Sequence, residues 1–160
     1  MRAQSARFSI RAEDVSDNAE LIELWLASWG ATYPAIDFET RRDWFTEHLA
    51  LLETQGCTTL AARNQSGNLT GFVIFNRVSG WLDQIAVHPN AFGAGVAEAL
   101  MREAKRLSPG FLLLDVNADN ARALAFYERE GFRRTGEGVN PNSGAWTLSM
   151  EWRQATSPAA

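Results

Sequence analysis

The segment FGAGVA, from Phe92 to Ala97, carries almost no polar side chain. It opens a helical pattern in which Val96, Leu100 and Leu107 recur on one apolar face. The first N–H groups of a helix lack intrahelical acceptors and carry partial positive charge, so small residues there let a phosphate reach the backbone. The segment is therefore a candidate anion-binding loop. The alternative is a tight glycine turn that only starts the helix.

A second candidate ligand surface lies in the segment NARALAFYEREGF. Asn120, Ala123 and Tyr127 are spaced by three and four residues, which places them on one face of a helix. A small residue flanked by Asn and Tyr suits a ligand-lined face, and Asn120 is also placed to cap the helix. The alternative is that Phe126 and Tyr127 are core aromatic residues.

A third candidate is the carboxylate in the strand pattern WLDQIAV. Strict alternation puts four residues on one face: Trp81, Asp83, Ile85 and Val87. Asp83 is the only ionisable group among them and can accept a proton directly or through water. The alternative is a solvent-facing or ion-paired strand residue. We interpret His48, on an apolar helix face, as a packed or surface histidine, and His88 as part of a loop.

These segments belong to a regular succession of predicted elements. In chain order they are strand FSIRAE, helix LIELWLASWG behind a capping box of Asp17 and Glu20, helix FETRRDWFTEHLALLETQ capped by Asp37, the three-strand meander CTTLAAR, LTGFVIFNRV and WLDQIAV, helix GVAEALMREAKRL, strand FLLLDVN, helix DNARALAFYEREGF closed by Gly131, and strand GAWTLSMEW. This order predicts an α+β fold with a mixed, mostly antiparallel sheet of about six to seven strands and about four helices.

Composition narrows the class of protein. With 160 residues, 46% apolar and 21% charged, the chain is expected to form one domain over residues 1–153, with a flexible tail over 154–160. A net charge of −4 without a basic run argues against nucleic acid as a partner. A single cysteine, two distant histidines and the lack of a long apolar run predict a cytoplasmic protein with no disulfide, metal or membrane span.

The strand WLDQIAVHP with FGAGVAEALM, and the segment NADNARALAFYEREGF, resemble the two cofactor motifs of the GNAT superfamily. These N-acetyltransferases transfer acetyl from acetyl-coenzyme A to an amine, and the resemblance spans roughly Phe8 to Trp152. In the family the loop usually starts with Arg or Gln, where this chain has Phe92. The resemblance implies that coenzyme A contacts the following residues: Ile85, Ala86, Val87, Phe92, Gly93, Ala94, Gly95, Val96, Ala97, Asn117, Asn120, Ala123 and Tyr127.

The same resemblance assigns the chemistry. Tyr127 matches a tyrosine that protonates the departing thiolate, and Asp83 lies near the position from which some members take a base, the alternative base being water. The backbone at Ile85 and Val87 would pair with the pantetheine arm and polarise the thioester carbonyl.

The resemblance also places the acceptor pocket, between the first two helices and the ends of two strands. Candidate aromatic residues there are Trp29, Tyr33, Phe38 and Trp81, whereas Trp25 and Trp44 are expected in the core.

The resulting hypothesis is direct attack of a small-molecule primary amine on acetyl-CoA in a ternary complex. A protein N-terminus or lysine is the alternative acceptor, and a non-catalytic acyl-CoA-binding module is the alternative from another class. The expected partners are thus a small-molecule or peptide amine, and a homodimer stays open.

Overall fold

The computed structural model describes residues 7–14 and 18–155. The predicted cap Asp17 and residues 156–160 of the predicted tail lie outside this part of the chain. The helices are α1 (Ala19–Thr32), α2 (Arg42–Thr54), α3 (Val96–Leu107) and α4 (Ala121–Arg129), and 3-10 helices cover Phe38–Arg41 and Pro89–Ala91. The strands are β1 (Phe8–Ala12), β2 (Thr58–Asn64), β3 (Leu69–Phe75), β4 (Leu82–Val87), β5 (Phe111–Asn117), β6 (Arg133–Val139) and β7 (Trp146–Arg153).

The strands form two antiparallel sheets, with the order β1-β2-β3-β4 in one and β5-β7-β6 in the other. In the described chain, a single parallel bridge between Trp81 and Leu113 joins β4 to β5, and the Leu113 N–H donates to the Gly80 carbonyl at 2.8 Å. Beyond this bridge the two strands are not paired. The structure confirms the α+β class, and it divides the strands into two sheets, with β4 at the edge of one and β5 at the edge of the other.

The first sheet is covered by helices on both faces. Along β3, Phe72 and Ile74 pack in the cluster with α1 and α2, whereas Val73 and Phe75 pack in the cluster with α3. This alternation is expected of a strand buried on both faces. Trp25 is in the core as predicted, being 4% exposed. The core prediction for Trp44 was wrong, because this side chain is 38% exposed, although its ring contacts the core residue Trp25.

A glycine in β3 lets α3 approach the sheet closely. A Cβ atom at Gly71 would lie 2.8 Å from Val96 Cγ1 and 3.0 Å from the Ala86 carbonyl oxygen. Val96 is the first residue of α3, and Ala86 lies near the end of β4. Gly71 therefore brings the start of α3 against the end of β4, which is where the predicted anion-binding loop lies.

The helix starts follow local hydrogen bonding. Asn18 caps α1, its side chain accepting from the Leu21 N–H at 3.3 Å. Asp37 is a cap as predicted, and accepts from the Glu39 N–H at 3.2 Å. The helix expected to follow it as one piece is instead a 3-10 turn and then α2. None of the described helices is long and apolar enough to cross a membrane.

Candidate active site

A cleft of about 230 Å³ lies beside the end of β4, between the loop before α3 and helix α4. Most of the predicted cofactor residues line it: Ile85, Ala86, Val87, Phe92, Gly93, Gly95, Val96, Ala97, Ala123 and Tyr127. The structure adds residues that the sequence interpretation missed: Ser28, Thr32, Ala91, Glu98, Arg122, Phe126 and Arg129. Two segments far apart in the chain, the loop before α3 and helix α4, therefore line one cavity.

Three predicted cofactor residues are not among those that line this cleft. Asn120 caps α4 as predicted, its side-chain oxygen accepting from the Ala123 N–H at 3.2 Å. Asn117 donates from Nδ2 to the hydroxyl of Tyr33 at 3.5 Å, on the side of α1. Ala94 is exposed in the loop. A contact of these residues with the cofactor stays a prediction.

The loop before α3 needs its glycines for backbone conformation. Gly93 and Gly95 have φ angles of 80° and 86°, in the left-handed region that other residues rarely adopt. The first backbone hydrogen bond of the helix runs from the Ala99 N–H to the Gly95 carbonyl. The N–H groups of residues 96–98 come before it, and in the described chain they have no backbone acceptor. That turn lines the cleft. The glycine-turn interpretation and the anion-binding interpretation are therefore compatible.

Tyr127 is a core residue and a cleft residue at the same time. Its side chain is 8% exposed, with edge contacts to the rings of Phe126 and Phe132, each at 5.5 Å between centroids. Within the described residues its hydroxyl has no hydrogen-bond partner, and the oxygen keeps some solvent access although most of the side chain is buried. Burial raises the pKa of Tyr127 above its usual value of 10.0, so the hydroxyl stays protonated at neutral pH and is able to donate.

The predicted orientation of Asp83 was wrong, because a β-bulge interrupts the alternation. Phe75 pairs with Leu82 and Ile74 pairs with Gln84, which leaves Asp83 without a residue opposite. Asp83 and Gln84 therefore both face the helices α1 and α2, whereas Ile85 packs on the α3 side.

Asp83 is hydrogen-bonded to His48, and this contact is an ion pair when His48 is protonated. The alternative interpretation of Asp83 was a solvent-facing or ion-paired strand residue. His48 Nε2 lies 2.6 Å from Asp83 Oδ2, and the His48 ring stacks on Trp44 at 4.8 Å between centroids. Trp81 Nε1 donates to Oδ1, and Gln84 Nε2 donates to Oδ2, both at 3.1 Å. Burial acts to raise the pKa of Asp83. The hydrogen bond and charge of His48, together with the hydrogen bonds from Trp81 and Gln84, outweigh the effect of burial, so the pKa is lowered. Both carboxylate oxygens are occupied, so Asp83 by itself is a weak proton acceptor.

The lowered pKa of Asp83 predicts a stability difference at acid pH. Near pH 3.8, the ordinary pKa of this carboxyl, Asp83 binds more protons in the unfolded chain than in the folded protein. The stability that the lowered pKa contributes is therefore complete above pH 3.8 and is lost as the pH falls through the lower pKa of the folded state. We expect the free energy of unfolding to fall less steeply below about pH 4 in Asp83→Asn than in wild type. Urea unfolding across pH 3–6 measures this, with exposed Asp43→Asn as the control. Equal slopes in all three proteins would contradict the lowered pKa.

The aromatic residues proposed for the acceptor pocket divide into two places. Trp29 and Tyr33 stack at 5.7 Å between centroids, near the end of α1, where Ser28 and Thr32 line the cleft. Tyr33 donates to Asp119 Oδ1 at 2.7 Å, which ties this end of α1 to the segment after β5. Burial and the Asp119 bond raise the pKa of Tyr33 to about 12.

Trp81 lies elsewhere, at the bridge between the two sheets, and is 36% exposed. Trp81 therefore does not share a pocket with Trp29 and Tyr33, although a shared pocket was expected of these three residues. Phe38, the fourth pocket candidate, is 5% exposed and belongs to the core.

Comparisons with known proteins identify the family. Residues 18–132 match the model of the Acetyltransferase (GNAT) family. The chain is 28% identical over 128 residues to the peptidyl-lysine N-acetyltransferase YjaB of Escherichia coli (strain K12), covering 80% of this chain and 84% of YjaB. The solution structure of apo YjaB from Escherichia coli matches with a TM-score of 0.71 at 26% identity, over 92% of this chain and 99% of that chain. The crystal structure of nourseothricin acetyltransferase matches with a TM-score of 0.56 at 30% identity, over 62% of this chain and 66% of that chain. The chain belongs to the GNAT family and is an acyltransferase.

Proposed function

We propose that the protein transfers an acetyl group from acetyl-coenzyme A to a primary amine. The observation that carries this proposal is the cleft beside β4, where the first turn of α3 and Tyr127 line one cavity. The residues fit the donor: glycines hold the loop, helix amides are available for a pyrophosphate, and a protonated hydroxyl is available for a leaving thiolate.

The proposed reaction needs one bond made and one broken. The amine nitrogen attacks the carbonyl carbon of the thioester, the new C–N bond forms, and the C–S bond breaks. Tyr127 donates a proton to the departing thiolate, and the nitrogen loses one proton to a base. The backbone at Ile85 and Val87 is placed along the cleft, where it can pair with the pantetheine arm and polarise the carbonyl. The products are the acetamide and free coenzyme A.

The base is either water or the His48–Asp83 pair. Because the pKa of Asp83 is lowered, the carboxylate alone is a poor acceptor for the amine proton. In the tautomer with hydrogen on Nε2, His48 donates to Asp83 and can accept a proton on Nδ1. The carboxylate then stabilises the imidazolium, so Asp83 acts through His48.

The acceptor is proposed to be an aliphatic primary amine. The stacked rings of Trp29 and Tyr33 beside the cleft suit an alkyl stem or an ammonium group. YjaB is named for peptidyl-lysine, and this similarity favours the lysine side chain as the first acceptor to test. The likeness to nourseothricin acetyltransferase keeps a small-molecule amine as the second candidate.

The test is release of free thiol from acetyl-CoA with a panel of acceptors. The panel pairs a lysine peptide with the same peptide carrying arginine, and adds small amines. We expect release above the blank with at least one primary amine and a product heavier by one acetyl group. Binding of acetyl-CoA without thiol release for any amine in the panel would overturn the proposed N-acetylation.

A further inference from the structure

We propose that Arg122, held against the ring of Phe92, binds the pyrophosphate of coenzyme A and supplies the cation that the loop of this chain lacks. This inference rests on the proposed function, because it concerns the same cleft. It names a donor-binding residue that lies in α4 and not in the loop itself.

The geometry joins the loop to the helix. The guanidinium carbon of Arg122 lies 3.8 Å from the centroid of the Phe92 ring, and both residues line the cleft. Phe92 is the last residue before the left-handed Gly93, and it packs against the main core cluster. The ring is thus a packed surface at the start of the loop, and the guanidinium lies over it.

The charge of Arg122 is not neutralised within the described part of the chain. No carboxylate there forms an ion pair with it, although Arg42, Arg63 and Arg106 are all paired. Glu98 also lines the cleft, but among the described residues no hydrogen bond or ion pair joins it to Arg122. An aromatic partner positions an arginine while leaving its five N–H donors and its charge for a ligand, whereas a carboxylate partner would consume both.

The position suits a pyrophosphate more than an uncharged group. The first turn of α3 lines the same cleft, and its amides can bind some of the phosphate oxygens. The guanidinium beside Phe92 can bind others in a charge-assisted pair. Phe92 would then serve the same end as the Arg or Gln usual in the family, by holding an arginine from α4.

The first test is the dissociation constant of coenzyme A at one fixed salt concentration, measured by calorimetry. We expect Arg122→Ala to weaken binding by about tenfold to a hundredfold, as loss of a hydrogen bond to a charged group does. Arg102→Ala is the matched control, because Arg102 is exposed on α3 and does not line the cleft, and it should change affinity less than about twofold. Normal affinity in Arg122→Ala, with a wild type that binds, would overturn this inference and leave the proposed function standing.

The second test is rescue across the pair. Phe92→Leu should weaken binding a few fold in wild type and have no further effect in Arg122→Ala, because the ring acts through the arginine. Phe92→Arg should recover affinity in Arg122→Ala, because it places a cation at the start of the loop. Additive losses without recovery would contradict the coupling.

A third measurement separates the phosphates. Dephospho-coenzyme A keeps the pyrophosphate and lacks the 3′-phosphate, so Arg122→Ala should weaken its binding by the same factor. A loss confined to coenzyme A would contradict the pyrophosphate assignment. A wild type that binds neither compound would instead overturn the proposed function.

Discussion

Acetyl-CoA is expected to raise the thermal midpoint of the wild type by roughly 5–10 °C at about a hundred times its dissociation constant, and Gly95→Glu is expected to abolish this shift. Gly95 caps α3 at φ 86°, and a Cβ atom there would meet no atom within 4 Å. The variant therefore keeps the packing of the fold and places a carboxylate where the pyrophosphate is proposed to bind. Like charges and bulk at the helix N-terminus both oppose binding.

Two variants separate lost binding from backbone strain. Gly67→Glu adds the same side chain at φ 84° in the turn after β2, again with no atom within 4 Å. It should cost similar strain, about 1–2 kcal/mol, and keep the full shift with acetyl-CoA. Gly95→Ala should lower the midpoint and keep most of the shift. A full shift in Gly95→Glu would remove the pyrophosphate from the first turn of α3.

The loop and its helix could be predicted because their signals are local. Each signal depends on residues within two helical turns of one another. The signals are a glycine at a left-handed position, the apolar spacing of α3, and the face of α4 that carries Ala123 and Tyr127. Arg122 was within reach of the same reasoning, because Arg122, Phe126 and Arg129 recur at helical spacing and all line the cleft. For Tyr127 the core interpretation and the ligand-face interpretation are compatible, since the residue packs in the core and also lines the cleft.

The base assignment depended on the strand register, which the sequence pattern does not reveal. Alternation is a rule for an uninterrupted ladder. The unpaired Asp83 interrupts it, so Gln84 faces the same side as Asp83 instead of the opposite one. His48 lies on another element, 35 residues earlier, so no local pattern connects it to Asp83. The division into two sheets, which in the described chain are joined by the bridge between Trp81 and Leu113, also depends on tertiary structure.

The strand β6 shows a further limit of hydropathy patterns. Its sequence RRTGEGV has no apolar alternation, and nearly all of it is exposed. The strand exists because β7 supplies hydrogen bonds along one edge, from Arg133 opposite Glu151 to Val139 opposite Trp146. A strand that buries neither face leaves no period of two in the sequence.

Tyr127→Phe is expected to reduce turnover by about a hundredfold to ten-thousandfold, the usual effect of removing one general acid. Only the hydroxyl is lost, and the ring contacts with Phe126 and Phe132 are kept, so the fold and the affinity for acetyl-CoA should change little. Steady-state kinetics with the preferred amine measure the turnover, and calorimetry measures the affinity. Burial raises the pKa of Tyr127 above 10.0. Raising the pH to about 10 should therefore cause no loss of wild-type activity through deprotonation of this hydroxyl.

The matched variant is Tyr33→Phe, which removes the other tyrosine hydroxyl of the chain. That hydroxyl is bonded to Asp119 and lies beside the proposed acceptor, so its loss should change KM for the amine more than turnover. Normal turnover in Tyr127→Phe would show that Tyr127 serves only in packing, and the thiolate would then take its proton from water. An equal loss of turnover in both variants would also contradict the assignment, because a general acid acts at one atom and Tyr33 is bonded elsewhere.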